Sequence, residues 1–581
     1  MFLAKWLWKN LKGSRVKYIF SLILAAVLPA SIIITPAYTA YVVDNAIVGK
    51  INESGETVRN LELLLPYLLF VIVYALFLQV VFYAMFMLTE KSSQHILVNI
   101  RAHLYRNMHQ QDNSFWNNIK IGEVMTRFTG DLEAIRHATA WIVRSAIDSL
   151  VLFLVSVIYL FTIDWILTLI MVAISPLMIV ITRAIKKNVR PRFAEARAKL
   201  ETLSGRVNEN IAGVRTVKSF ARKEHEMDVF DRNNAEFKET TTNAVRAWLR
   251  YFPALEGIAH SFTVIVLVIG GIFVINGRIT IGEYSAFTTL SWAIANPVRI
   301  AGRILNDLQR FITSAQKVIE LYYAHPIIKD LHDSIELNEK LSGYVEYKNV
   351  TLRFDHKTIL DNVSFTVKQG ETVVIMGSTG SGKTTLINML LRFYDADEGE
   401  ICIDGINIKK IKMKDLRKNI GVATQEVFLF SDTVDSNIAY SNSSMPEENA
   451  RRYAELAEAD FAMKLTEGMA TVVGERGTGL SGGQKQRLSL ARAFAAQPAI
   501  LILDDTTSAL DLETEQRVRQ NLDKLDFCCT KIIVAQRVST AQTADRIIIL
   551  ENGKIAETGT HHELIHNQGY YYEIYKLQNN L

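Results

Sequence analysis

Cysteine is scarce in this chain of 581 residues: Cys402, Cys528 and Cys529 are the three present, and no zinc-like spacing joins them. That excludes a disulfide-stapled scaffold, and a reduced, cytosolic setting suits the part that carries them. Net charge is scarce as well, at +4. So small a surplus, with no basic stripe, argues against a nucleic-acid binder. Apolar residues are abundant instead, at 49%, and they are unevenly spread. Up to about Ile312 they form long blocks; beyond it, short runs alternate with Gly-rich turns and charged helical patterns. A membrane part followed by a soluble part is therefore expected.

A bilayer crossing needs roughly 20 apolar residues. Six blocks qualify: Val16 to Val43, Leu61 to Leu88, Ala138 to Phe161, Ile163 to Ile185, Phe252 to Ile275 and Ile279 to Ile304. Pro29 and Pro36 predict a kink in the first. Its apolar core is about twice the length of a signal h-region and five more spans follow, so a retained span is expected rather than a cleaved leader. Lys and Arg crowd the N-terminus, the segment Lys91 to Arg136 and the segment Lys186 to Arg246. By the positive-inside rule these lie in the cytoplasm, as do both termini.

The two long cytoplasmic segments keep helical periodicity, so the membrane helices are expected to continue into the cytosol. Their tips, near Asn113 to Ile119 and Ser219 to Glu226, read as short crossing helices, with solvated hairpins as the alternative. Two charged pairs inside the spans, Arg144 with Asp148 and Glu256 with His260, each share a helix face. They are candidates for substrate contact, Glu256 and His260 as the lining of an inward-facing cavity.

The soluble part carries phosphate chemistry. "GSTGSGKT", Gly377 to Thr384, follows an apolar strand and precedes an apolar-periodic helix. Gly377, Gly380 and Gly382 let the backbone N–H groups of Ser378, Thr379 and Ser381 wrap an anion. Lys383 reaches the β and γ phosphates and Thr384 can ligate magnesium. Phe354, at the end of a β-like stretch, is placed to stack on a base. Downstream, "LSGGQ" (Leu480, Ser481, Gly482, Gly483, Gln484) opens another helix as a second anion-binding feature. With one phosphate-binding loop in the chain, it must serve phosphates held elsewhere.

These motifs, in this order, resemble an ABC transporter of the exporter type, with membrane and nucleotide-binding domains fused in one half-transporter. The resemblance implies six transmembrane helices with long cytoplasmic extensions to about residue 323, a linker over 324–343, and an α/β P-loop nucleotide-binding domain over 344–581. It also implies roles: Gly377 to Thr385 as the Walker A loop, Gln425 as the Q-loop residue, Leu480 to Gln484 as the signature and Asp504 as the Walker B acid. Ser508, Ala509, Leu510 and Asp511 become the D-loop, and "GERG" from Glu475 the segment that feels the cytoplasmic loops. The two cytoplasmic tips become coupling helices. ATP and Mg2+ are the implied cofactors, with Thr384 and Gln425 on the metal and Asp504 supporting them. Two such domains would close head to tail, each ATP lying between one Walker A loop and the other subunit's signature.

Three positions depart from that pattern. Phe354 replaces the usual stacking tyrosine and keeps the π face. Asp505 stands where the catalytic glutamate belongs, and Gln536 where the switch histidine belongs. An Asp carboxylate falls short by more than about 1 Å, and loss of a positioned base costs roughly 10² to 10⁴ in rate. Gln536 still hydrogen-bonds a γ-phosphate but carries no imidazolium charge. With binding residues and signature intact, the chain resembles the degenerate-site subunit of heterodimeric multidrug exporters. That implies a different half-transporter as partner, one with the consensus Glu and His. Lipid or peptide export, or a nucleotide-sensing regulatory subunit without pumping of its own, are the alternatives.

Overall fold

The computed structural model of the chain describes residues 2–51, 57–354, 357–506 and 510–579. The first part is helical: α1 (Phe2–Asn10), α2 (Arg15–Val48), α3 (Leu61–Gln110), α4 (Asn113–Asn118), α5 (Ile121–Ile163), α6 (Trp165–Ala212), α7 (Val214–Ser219), α8 (Lys223–Ile275) and α9 (Ile281–Tyr322). Among the described residues α2, α3, α5, α6 and α8 are long and apolar enough to cross a membrane. The expected sixth span falls in α9, a helix of 42 residues. The membrane helices run on past their apolar blocks, as their periodicity predicts. In α2 regular helical bonding lapses at Ile32–Ile33, between the two prolines, because Pro36 offers no N–H to the carbonyl of Ile32.

Two compact units emerge, one of residues 1–109 and 120–324, the other of 110–119 with 325–581. In the first, α5, α6, α8 and α9 share a core of Leu160, Leu167, Met171, Phe262, Val266, Phe287, Leu290 and Ile294. Leu68, Val73, Phe77 and Val80 of α3 stay exposed, the surface a lipid-facing helix presents. Helix ends are tied by acids that accept orphan N–H groups. Asp164 caps α6 at Leu167 N (2.8 Å) and pairs with Arg278. Asp44 accepts from Gly282 N (2.8 Å) and Thr280 Oγ1 (2.6 Å), joining the end of α2 to the start of α9.

The second short crossing helix lies earlier than its sequence suggests. It is α7, Val214–Ser219, whereas residues from Lys223 already belong to α8. Gly213 ends α6, and the reversal falls at Phe220–Arg222, with Ala221 at φ 53°. The apolar period runs unbroken through Val214 and Val217, so it hides the break.

The second unit is α/β. A sheet with order β2-β1-β4-β5 is antiparallel: β1 (Val345–Phe354), β2 (Lys357–Val367), β4 (Glu398–Ile403) and β5 (Ile406–Asn407). The other has order β10-β9-β3-β8-β7-β6: β3 (Thr372–Met376), β6 (Ile420–Ala423), β7 (Ile500–Asp504), β8 (Thr530–Val534), β9 (Arg546–Glu551) and β10 (Lys554–Gly559). Its strands are parallel except β10. Strands β3 and β7 are almost wholly buried, which explains their continuous apolar runs. Parallel strands place their C-terminal ends on one edge, and the ligand crevice of such sheets lies there.

Candidate nucleotide site

Strand β3 ends at Met376 and α10 (Lys383–Leu390) starts seven residues later, so the phosphate-binding loop spans a strand end and a helix N-terminus. Gly377 is obligatory: a Cβ there would lie 2.0 Å from the carbonyl oxygen of Leu550. Gly382 caps α10 at φ 102°, a conformation other residues resist. Lys383 folds back over the loop, donating to the carbonyls of Gly377 (2.9 Å) and Ser378 (2.7 Å). Burial pulls its ammonium below the usual range, against the opposing pull of Asp504 and Asp505. Ser381 is buried, whereas Ser378, Thr379 and Gly380 are exposed, leaving the loop's outer rim free to meet an anion.

Strand β7 delivers Asp504 to the same place. Its carboxylate is 5% exposed and accepts a hydrogen bond from Thr384. Burial raises its pKa, as does adjacent Asp505, and Thr384 and Lys383 oppose the shift. Asp505 follows at φ 48° and is raised by burial too. Its Oδ2 accepts from Gln536 Nε2 at 3.1 Å and lies 3.5 Å from Gln425 Nε2. Lys383, Thr384, Gln425, Asp504, Asp505 and Gln536 are thus one cluster, drawn from four separate stretches of chain. Magnesium fits this donor set, because the Thr384 hydroxyl and the Gln425 amide oxygen are hard ligands beside two carboxylates. Thr384 and Gln425 would hold it, with Asp504 behind them.

Phe354 ends β1 and remains 38% exposed, its ring in a T-shaped contact with Tyr394 at 5.0 Å. The Tyr394 hydroxyl accepts from Asn113 (3.0 Å) and Asn117 (3.2 Å) of α4. The base-stacking candidate is therefore one ring away from α4, the first candidate coupling helix. The expected signature residues stand apart from this cluster. Ser481 and Gln484 cap each other at the start of α11 (Gly482–Ala495), and Lys485 donates to the carbonyl of Arg476 at 2.9 Å, tying the motif to "GERG". Leu480, Gly482 and Gly483 sit at that helix start. Of the expected D-loop residues, Leu510 is buried and Asp511 caps α12 (Leu512–Leu522) through Thr514 N; Ser508 and Ala509 lie outside the described residues.

Residues 18–298 match the ABC transporter transmembrane region and residues 360–508 match ABC transporter. The "Uncharacterized ABC transporter ATP-binding protein YknU" of Bacillus subtilis is 37% identical over 82% of this chain and 82% of its own length. The chain belongs to the ABC transporter family. The "Putative multidrug export ATP-binding/permease protein YgaD" of Bacillus subtilis is 34% identical over 97% of both chains. The "ATP-dependent lipid A-core flippase" of Syntrophus aciditrophicus is 34% identical over 84% of this chain and 81% of its own. The ATPase domain of the family binds ATP and couples its hydrolysis to transport, so this ABC transporter is an ATP-driven membrane protein.

Two groups at the transporter's site escape a reading of motifs. Glu515 of α12 is 2% exposed and accepts from Arg537 (2.6 Å), Arg519 (3.0 Å) and Thr540 (2.7 Å), fixing the residue next to Gln536. Gln578 bonds the backbone on either side of Arg537. Neither belongs to a short motif. Of the charged groups in the spans, Glu256 pairs with Arg299 of α9 at 3.4 Å and His260 is exposed; Arg144 and Asp148 are half-buried.

Proposed function

We propose that this ABC transporter is the low-turnover ATP half of a heterodimeric exporter that moves drug-like or amphiphilic molecules out across the cytoplasmic membrane. Both termini and the nucleotide domain face the cytoplasm in this reading, as the Lys and Arg distribution supports. One observation carries the proposal. The carboxylate at the catalytic-base position is one methylene short and is hydrogen-bonded to the Gln536 amide, which takes up an acceptor that a water-activating base needs free.

The binding half of the site supports holding ATP. Phe354 offers its face to the base, the loop from Gly377 to Thr385 wraps the phosphates, and Lys383 and Gln536 donate toward the γ-phosphate. Magnesium, which Thr384 and Gln425 would hold, would supply neutralisation of phosphate charge. Asp504 keeps Thr384 oriented, and Leu480 to Gln484 serve the partner's nucleotide. Hydrolysis then falls chiefly to the second site, where this signature meets the partner's consensus Glu and His. The multidrug name of one relative supports the substrate class. Lipid export is the second reading, favoured by the flippase relative, and flipping of fluorescent lipid in vesicles separates the two.

The test compares phosphate release by the purified chain alone with that of the chain co-expressed with its partner. Slow release alone, fast release in the complex, and its loss when the partner's glutamate becomes glutamine are expected. Fast hydrolysis by the chain alone would sink the proposal.

A further inference from the structure

The helix α13 (Tyr570–Asn579) ends the described chain, and its Gln578 holds the backbone around Gln536 at two points. The side-chain oxygen Oε1 accepts from Val538 N at 2.8 Å, and Nε2 donates to the carbonyl of Gln536 at 2.9 Å. Reversing the amide would set N–H against N–H and oxygen against oxygen, so the orientation is dictated by its partners. One side chain thus pairs with residues i and i+2 across the extended residue Arg537, the pattern a neighbouring parallel strand makes.

The grip is rigid because α13 is docked elsewhere. Tyr571 is fully buried, and its hydroxyl lies 2.6 Å from His561 Nδ1. With Ile574 and Tyr575 it packs in a cluster that includes Val374 and Met376 of β3, Ala535 and Val538. The strand that enters the phosphate-binding loop, the segment carrying Gln536 and α13 therefore share one core. On either side of Gln536 the chain is pinned: Ala535 and Val538 by burial, Arg537 by Glu515. Gln536 itself is exposed, and its carbonyl is held by Gln578.

We propose that Gln578 is a positioning residue: its paired bonds fix the Gln536 backbone and so aim the Gln536 amide at the γ-phosphate of bound ATP. The inference rests on Gln536 being a γ-phosphate contact. ADP lacks that group, so a misaimed Gln536 weakens ATP and spares ADP.

The experiment measures displacement of trinitrophenyl-ATP by ATP and by ADP, with magnesium, on the full chain in lipid nanodiscs. Gln578→Met keeps length and removes both bonds; Gln578→Glu keeps the acceptor for Val538 and sets a carboxylate oxygen against the Gln536 carbonyl. Each is expected to lower ATP affinity about tenfold relative to ADP, as does Gln536→Ala, since bonds to charged groups are worth about that factor. Adding Gln578→Met to Gln536→Ala should cause no further loss. Equal weakening of ATP and ADP by both Gln578 variants, the signature of a merely structural helix tether, overturns the proposal. So does a selectivity unchanged by them while Gln536→Ala lowers it. If Gln536→Ala leaves selectivity intact, the γ-phosphate reading of Gln536 falls and the role of Gln578 falls with it.

Discussion

Gln536 Nε2 donates to Asp505 Oδ2 across 3.1 Å, so the two residues proposed to stand in for the catalytic glutamate and the switch histidine satisfy one another. A longer acid alone does not undo this. Asp505 sits at φ 48°, a left-handed conformation that Asp tolerates better than Glu, and Gln536 would still occupy the carboxylate. Asp505→Glu by itself should therefore raise phosphate release by the chain alone less than about tenfold. The pair Asp505→Glu with Gln536→His should raise it by about 10²-fold, the low end of what a positioned base contributes. A double variant no faster than the parent would show that the slow step lies elsewhere.

Within the second unit, the candidate coupling helix α4 is hydrogen-bonded to the Tyr394 hydroxyl. Tyr394→Phe removes the acceptor for Asn113 and Asn117 and leaves the ring against Phe354 in place. Two hydrogen bonds of about 1 kcal/mol each are lost. ATP affinity should stay within about twofold of the parent, because no group near the phosphates changes. Stimulation of ATPase by transported substrate should fall, since closure of the nucleotide unit no longer pulls on α4. Unchanged stimulation across a substrate panel would remove Tyr394 from the coupling path.

Motifs whose chemistry is local were legible before the fold. The loop from Gly377 to Thr384 and the helix start at Ser481 each need residues within a few positions, and the chain states them outright. α4 was legible too, as the tip of a periodic segment. α7 was displaced because Val214 and Val217 continue the apolar period across the true break at Gly213. Tyr394, Glu515 and Gln578 were silent for a different reason. Their partners stand 281, 22 and 42 positions away, and nothing in their own neighbourhoods distinguishes them from surface residues. The fold supplies those pairings, and sequence spacing does not.

Glu515 is the buried anchor behind the segment that carries Gln536. Glu515→Gln keeps the shape and removes the charge, leaving the Arg537 and Arg519 guanidinium groups without their shared counter-ion. Both arginines keep some access to water, so the cost is smaller than for a sealed ion pair, about 2 kcal/mol. A fall of about 5 °C in the melting temperature of the nucleotide-binding unit is expected. A melting temperature unchanged within error would mean that water replaces the carboxylate at no cost.

The docking of α13 should weaken in acid. Burial and neighbouring His562 hold His561 below its ordinary value of 6.5, and its ring faces Tyr571 and Tyr575. The detached helix leaves His561 free to take a proton at that ordinary value, whereas the docked form resists it. Docking is therefore undiminished above about pH 6.5 and is progressively lost below it, as the proton favours the detached state. Amide exchange in Tyr570–Asn579, corrected for the intrinsic rate, should speed up between about pH 7.5 and about pH 5.5. His561→Asn, which cannot take that proton, should flatten the dependence. A pH dependence that persists in this variant would place the responsible proton on another group.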